Sequence, residues 1–170
     1  MTSRSMMFGI LLLVFAIDIN AAIFNVNTTN DTQDINPGDG VCSDSNGQCS
    51  FRAALTEANN LDGTDTIYLP AGTYTQTLVA ENDNSNAGGD WDIRDDIIID
   101  GSGAGVTILQ AAETPDTATE RVLESNLALN IVIINDVTIR HGRKVGSPGT
   151  NNNGGGIRNT GTMTLNNSVV

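Results

Sequence analysis

Val41-Cys-Ser-Asp-Ser-Asn-Gly-Gln-Cys-Ser-Phe-Arg-Ala-Ala-Leu-Thr-Glu-Ala-Asn-Asn60 is the stretch that sets the reading of the whole chain. It holds both cysteines, Cys42 and Cys49, and then the one convincing helix after the N-terminal apolar run. Ser50 is a good N-cap, because its hydroxyl can accept from a free backbone N–H of the first turn. Phe51, Ala54, Leu55 and Ala58 fall at helical spacing and make one apolar stripe. Arg52, Thr56 and Glu57 lie off that stripe and are expected on a solvated face. Asn59-Asn60 and Gly63 end the segment, so the pattern predicts a helix over 50–59. A helix this short is marginal alone and must bury its stripe. The open end of a stack of strands is the natural place, because a bare terminal strand shows unpaired edges and apolar core.

The cysteines are seven positions apart. A disulfide is expected if the chain is exported, and closing so short a loop stabilises by roughly 2–3 kcal/mol in the chain-entropy model. The alternative is a metal pair. Two thiolates and one distant histidine, His141, make a poor zinc site.

Outward from this stretch the chain reads as short strands with turns rich in Gly and Asn. Phe24 to Val26 is a first strand, and Asn36-Pro-Gly-Asp-Gly40 is a tight turn. Asp65 to Val79 reads as a first full rung, with Ile67, Leu69, Tyr74 and Leu78 as its apolar points. Glu81 to Asp92 is an acidic excursion carrying the only tryptophan, Trp91. Strands resume at Ile97–Asp100, Val106–Leu109, Arg121–Glu124 and Asn130–Ile139. A repeat is visible: Ile133-Ile-Asn-Asp-Val-Thr-Ile139 can be laid on Thr164-Leu-Asn-Asn-Ser-Val-Val170, placing Asn135 on Asn166. Ile98-Ile-Asp-Gly101 fits the same frame. Asn135 and Asn166 are expected to stack as an inward amide ladder at a corner.

Cys49-Ser-Phe-Arg-Ala-Ala-Leu-Thr-Glu-Ala-Asn59 resembles the CSLREA signature of exported bacterial proteins, with Phe51 where that signature has leucine. Phe24-Asn-Val-Asn-Thr-Thr29, Asn36-Pro-Gly-Asp-Gly-Val-Cys42 and Asp65-Thr-Ile-Tyr-Leu-Pro-Ala-Gly-Thr-Tyr74 are similar to its flanks. Gly154-Gly-Gly-Ile-Arg-Asn159 resembles the repeat of polymorphic outer-membrane proteins. The resemblance runs from about Phe24 to Val170 and implies a pectate-lyase-like right-handed parallel β-helix at a bacterial cell surface. It carries no catalytic residue set. The expected organisation is a signal peptide over 1–22, an N-terminal cap over 23–64 and β-helix rungs over 65–170. The last strand runs to Val170 without a cap, so further rungs downstream are expected.

The signal-peptide reading rests on Arg4, the apolar run Met6–Ile17 and the small residues Ala21-Ala22. An uncleaved anchor is the alternative. The run is short for a membrane span, and the mature chain has no other candidate. Formal net charge is −12 over 170 residues, which argues against binding nucleic-acid backbone or anionic membrane.

Four groups of residues are candidates for chemistry. Asp83, Asp90 and Asp92 in the acidic excursion offer oxygens suited to Ca²⁺, against the reading of a solvated acidic loop. Asp95 and Asp96, with Asp100 nearby, are candidate acid and base for polysaccharide cleavage, although strand neighbours point to opposite faces. Arg140, His141, Arg143 and Lys144 form the one basic cluster, suited to the carboxylate of an acidic sugar, or simply to offsetting an acidic surface. Tyr68, Tyr74 and Trp91 are candidate sugar-stacking aromatics, with Trp91 the best placed for ligand. Two function classes follow. One is a non-catalytic, adhesin-like or carbohydrate-contacting surface module whose partner is an extracellular polysaccharide or host glycan. The other is a lyase or glycoside hydrolase acting on acidic sugars.

Overall fold

The computed structural model describes residues 21–80, 83–144 and 154–170. The expected signal peptide falls outside them except for Ala21 and Ala22. The fold is all-β: short strands in parallel sheets, with one short helix among the described residues. The strands are β1 (Ile23–Asn25), β2 (Asp65–Leu69), β3 (Gly72–Thr75), β4 (Trp91–Ile93), β5 (Ile97–Gly101), β6 (Thr107–Gln110), β7 (Leu123–Ser125), β8 (Ile131–Asn135), β9 (Thr138–Arg140), β10 (Ile157–Asn159) and β11 (Thr162–Asn166). The helix α1 spans Phe51–Ala58.

Three parallel sheets result. The first has the order β1-β2-β5-β8-β11, the second β3-β6-β9 and the third β10-β7-β4. From β2 onward the chain visits first, second and third sheet in turn and then returns to the first, three times over.

Alternation along each strand builds the core. In the first sheet Phe24, Ile67, Ile99 and Ile134 stand in one register column, and all are buried. Ile97 and Val132 make a second buried column after Asp65. Their β-branched side chains suit a pleated surface, and full burial of each stabilises by about 1.5–3 kcal/mol. Side chains of the intervening positions face the other way: Tyr68, Asp100, Asn135 and Asn166 follow one another in register. Asn166 Nδ2 donates to Asn135 Oδ1 at 2.8 Å, and Asn135 Nδ2 donates to Asp100 Oδ1. The repeat frame read from sequence therefore gives the observed register. The ladder is not inward, however: Asn135 is half-buried and Asn166 exposed.

The corner after this ladder is also repeated. Asp136 and Asn167, each following a ladder asparagine, have φ of 57° and 48°. Asn and Asp tolerate this left-handed conformation better than other residues with a Cβ. At the matching position Gly101 is needed for space instead. A Cβ there would lie 2.4 Å from the Asp136 carbonyl oxygen.

Ser50 caps α1, accepting from Ala53 N–H at 3.0 Å. The helix packs against β2 and β4, and Phe51 meets Trp91 and Tyr74 edge-on, with ring centroids 5.0 and 6.5 Å away. Cys42 and Cys49 form a disulfide just before it. The expected solvated face of the helix does not exist: Arg52 and Glu57 are both buried. The loop Asp31–Gly40 folds over them. Glu57 accepts from Gly38 N–H at 2.8 Å and Gly40 N–H at 2.7 Å. Both glycines have positive φ, which turns their amides toward the carboxylate. Among the described residues no helix is long and apolar enough to cross a membrane.

Candidate functional site

The densest set of charged side chains lies where the acidic excursion closes on the third sheet. Asp92, Glu124 and Arg158 occupy one register column across β4, β7 and β10. Flanking core residues Trp91 and Leu123 are also paired and buried, so the charged column faces the other side of the sheet. Asn86 and Asp90 of the excursion reach that column. The Asn86 N–H donates to Asp92 Oδ2 at 3.0 Å, and the Asn86 amide also bonds back to α1 through Arg52 O and Thr56 Oγ1.

Asp90, Asp92 and Glu124 each bring an oxygen within 4.8 Å of the other two, and all three are buried. Glu124 is an addition that the sequence reading missed. It lies 32 positions beyond Asp92 and only strand pairing joins them. Its charge was the signal that could have found it, directly after the apolar pair Val122-Leu123. Asp83 does not join the cluster. It caps its own turn, accepting from Ser85 Oγ at 2.6 Å and Ala87 N–H at 2.6 Å, and these bonds hold its carboxyl below the usual range against partial burial.

Two guanidiniums compensate the cluster. Arg121 Nη1 contacts Glu124 Oε2 and lies 3.4 Å from Asp90 Oδ2, while Arg158 Nη1 contacts Glu124 Oε1. Beside them Lys144 Nζ pairs with Glu120 at 2.5 Å. Asp90, Asp92 and Glu124 have the oxygen chemistry for a hard cation, but Arg121 and Arg158 already sit where it would meet Glu124. The arrangement is a polar latch holding the excursion to the sheet. Burial pushes the Asp92 carboxyl up to about 7, the Asp90 charge adds to this, and the Asn86 N–H opposes it. Among the described residues Asp92 Oδ1 has no partner, consistent with a carboxyl that ionises reluctantly.

Trp91 is not a ligand-facing residue. Only 1 % exposed, it meets Phe51 edge-on, and the central carbon of the Arg52 guanidinium is 5.9 Å from its ring centroid. The sequence reading placed it in a loop; the apolar rim of α1 draws it into β4. Tyr74 is buried too, its hydroxyl donating to Pro70 O. Tyr68 alone of the three aromatics is exposed, at 42 %.

The acid/base candidates do not converge. Asp95 Oδ1 accepts from Asp96 N–H, Asp96 Oδ1 accepts from Ile131 N–H, and Asp100 accepts from Asn135. All three belong to the first sheet or its approach. Arg140 ends β9 of the second sheet and donates to Gln110 Oε1 at 2.9 Å. His141 Nδ1 lies 3.1 Å from Ala112 O, and Arg143 donates to Asp116 O. Each group is bonded within its own corner.

These features define a class: an all-β chain of stacked parallel strands with a buried ionic cluster on its third sheet. No family model, curated protein or solved structure matches the chain.

Proposed function

We propose that the chain is an exported, non-catalytic surface module, built as a right-handed parallel β-helix and related to proteins with the CSLREA signature. The observation that carries this reading is the cyclic order of strands. A chain that passes three sheets in turn and pairs each strand in parallel with its counterpart one turn later winds as a solenoid. Parallel crossovers of this kind are right-handed in nearly all proteins. The Cys42–Cys49 disulfide supports an oxidising destination. The separation of Asp95, Asp96 and Asp100 from Arg140, His141 and Arg143 favours binding over catalysis.

The outward side of the first sheet is the contact surface in this reading. Asn25, Tyr68, Asp100, Asn135 and Asn166 follow each other in register there. An exposed phenol ring flanked by amides and a carboxylate suits the faces and hydroxyls of sugars. The test is affinity electrophoresis of the purified chain through gels containing neutral and acidic polysaccharides, beside an assay for unsaturated and reducing-end products. Retardation that Tyr68→Ala reduces several-fold, without product, is expected. Turnover of an acidic polysaccharide would replace this reading with the lyase or hydrolase one.

A further inference from the structure

Asp65 opens β2 and is fully buried. Its Oδ1 accepts from the Ala22 N–H at 2.7 Å, and among the described residues its Oδ2 has no partner. Among the described residues no ion pair reaches it. Another carboxylate, Asp95, acts on it with like charge. A buried carboxylate in this state costs several kcal/mol unless a cation joins it. Among the described residues its one partner is the backbone nitrogen of Ala22, the last residue of the expected signal peptide.

We propose that the chain is cut between Ala21 and Ala22, and that the α-ammonium released on Ala22 is the counter-ion of Asp65. This rests on the export reading. Water hydrolyses the Ala21–Ala22 amide under an export peptidase: the carbonyl carbon gains oxygen and leaves as the Ala21 carboxylate, and the nitrogen takes up protons to become ammonium. The same atom that donates one proton to Oδ1 then carries three. It can serve both carboxylate oxygens and supplies the missing charge without moving. Ala22 is already held, because its carbonyl accepts from Thr66 N–H at 2.9 Å and its side chain packs on the core. Ala21 before it is exposed and small, as a residue on the leaving side of the cut must be. A cut one bond later would discard Ala22 and both of its bonds. A cut one bond earlier would leave an amide, with its single proton, facing Asp65.

Two measurements test this. The first is N-terminal sequencing and intact mass of the full chain after export by a secretory host. Ala22 as the first residue is expected. A different first residue overturns the proposal while leaving export intact, and an exported fraction that is absent or uncut overturns both. The second compares Asp65→Asn in two oxidised forms, the exported chain and the full chain made without export. In the exported form the substitution strands the ammonium, and Tm is expected to fall by roughly 5–15 °C. In the uncut form it removes an uncompensated charge, and Tm is expected to hold or rise. The same effect in both forms would overturn the ion pair.

Discussion

Arg52 Nε lies 2.6 Å from Asp31 Oδ1, with both side chains buried between α1 and the third sheet. The guanidinium uses its remaining donors on Asn86 O, Gly89 O and Asp90 O. Asp31 also accepts from Thr77 and Leu78 N–H. One ion pair thus joins the N-terminal loop, the helix, the segment after β3 and the excursion before β4. Replacing either partner leaves the other charge buried. Asp31→Ala is expected to cost about 3–5 kcal/mol, measured as a lower denaturant midpoint at unchanged slope. A loss below 1 kcal/mol would show that water compensates the site.

The disulfide closes a short loop directly ahead of the Ser50 cap. Changing both Cys42 and Cys49 to Ala is expected to cost about 2–3 kcal/mol. Hydrogen exchange should speed up first at the Phe51–Ala58 amides, with the strands of the first sheet responding less. Unchanged protection in α1 would show that Arg52 and Glu57 hold the helix without the bridge.

Asp92 gives the latch a pH dependence with a definite sign. Its folded pKa of about 7 lies above the ordinary carboxylate value, so its contribution to stability is fully present below about pH 4. It is lost as pH rises through about 7. Asp92→Asn keeps an oxygen for the Asn86 N–H and removes the titration. Relative to this variant, wild type should lose stability between pH 4 and 8, by no more than about 4 kcal/mol. Parallel stability curves for the two proteins would refute the assignment.

The ladder through Asp100, Asn135 and Asn166 ties β5, β8 and β11 of the first sheet at one corner. Thirty-five residues separate Asp100 from Asn135, and 31 separate Asn135 from Asn166. Asn135→Ala removes the middle member and both bonds. The expected loss is about 1–2 kcal/mol, since the ladder is only half-buried. Thermal melting of the single variant measures it, and an unchanged Tm would mean that water replaces the amide fully.

Local rules sufficed where the information is local. Ser50 as a cap, the stripe of Phe51, Ala54, Leu55 and Ala58, and the disulfide across seven positions are all set by neighbours along the chain. The Asn135–Asn166 register was legible because a repeat copies its own residues into the strand that pairs with it. Burial of polar and aromatic side chains was not legible. Arg52 and Glu57 lie off the apolar stripe, yet the loop from Asp31 to Gly40 and the excursion ending at Asp90 cover them. Trp91 looked like a loop residue because the acidic sequence before it hides a three-residue strand.

By itself the sequence determined the all-β class, the capped helix, the disulfide and the corner repeat, since periodicity and caps act within a few residues. Tertiary structure alone decided which charges meet. It set Glu124 beside Asp92, Arg52 on Asp31 and Ala22 on Asp65, pairings 32, 21 and 43 residues apart. Strand pairing and desolvation fix such contacts, and without a repeated residue to mark the pairing the sequence does not show them.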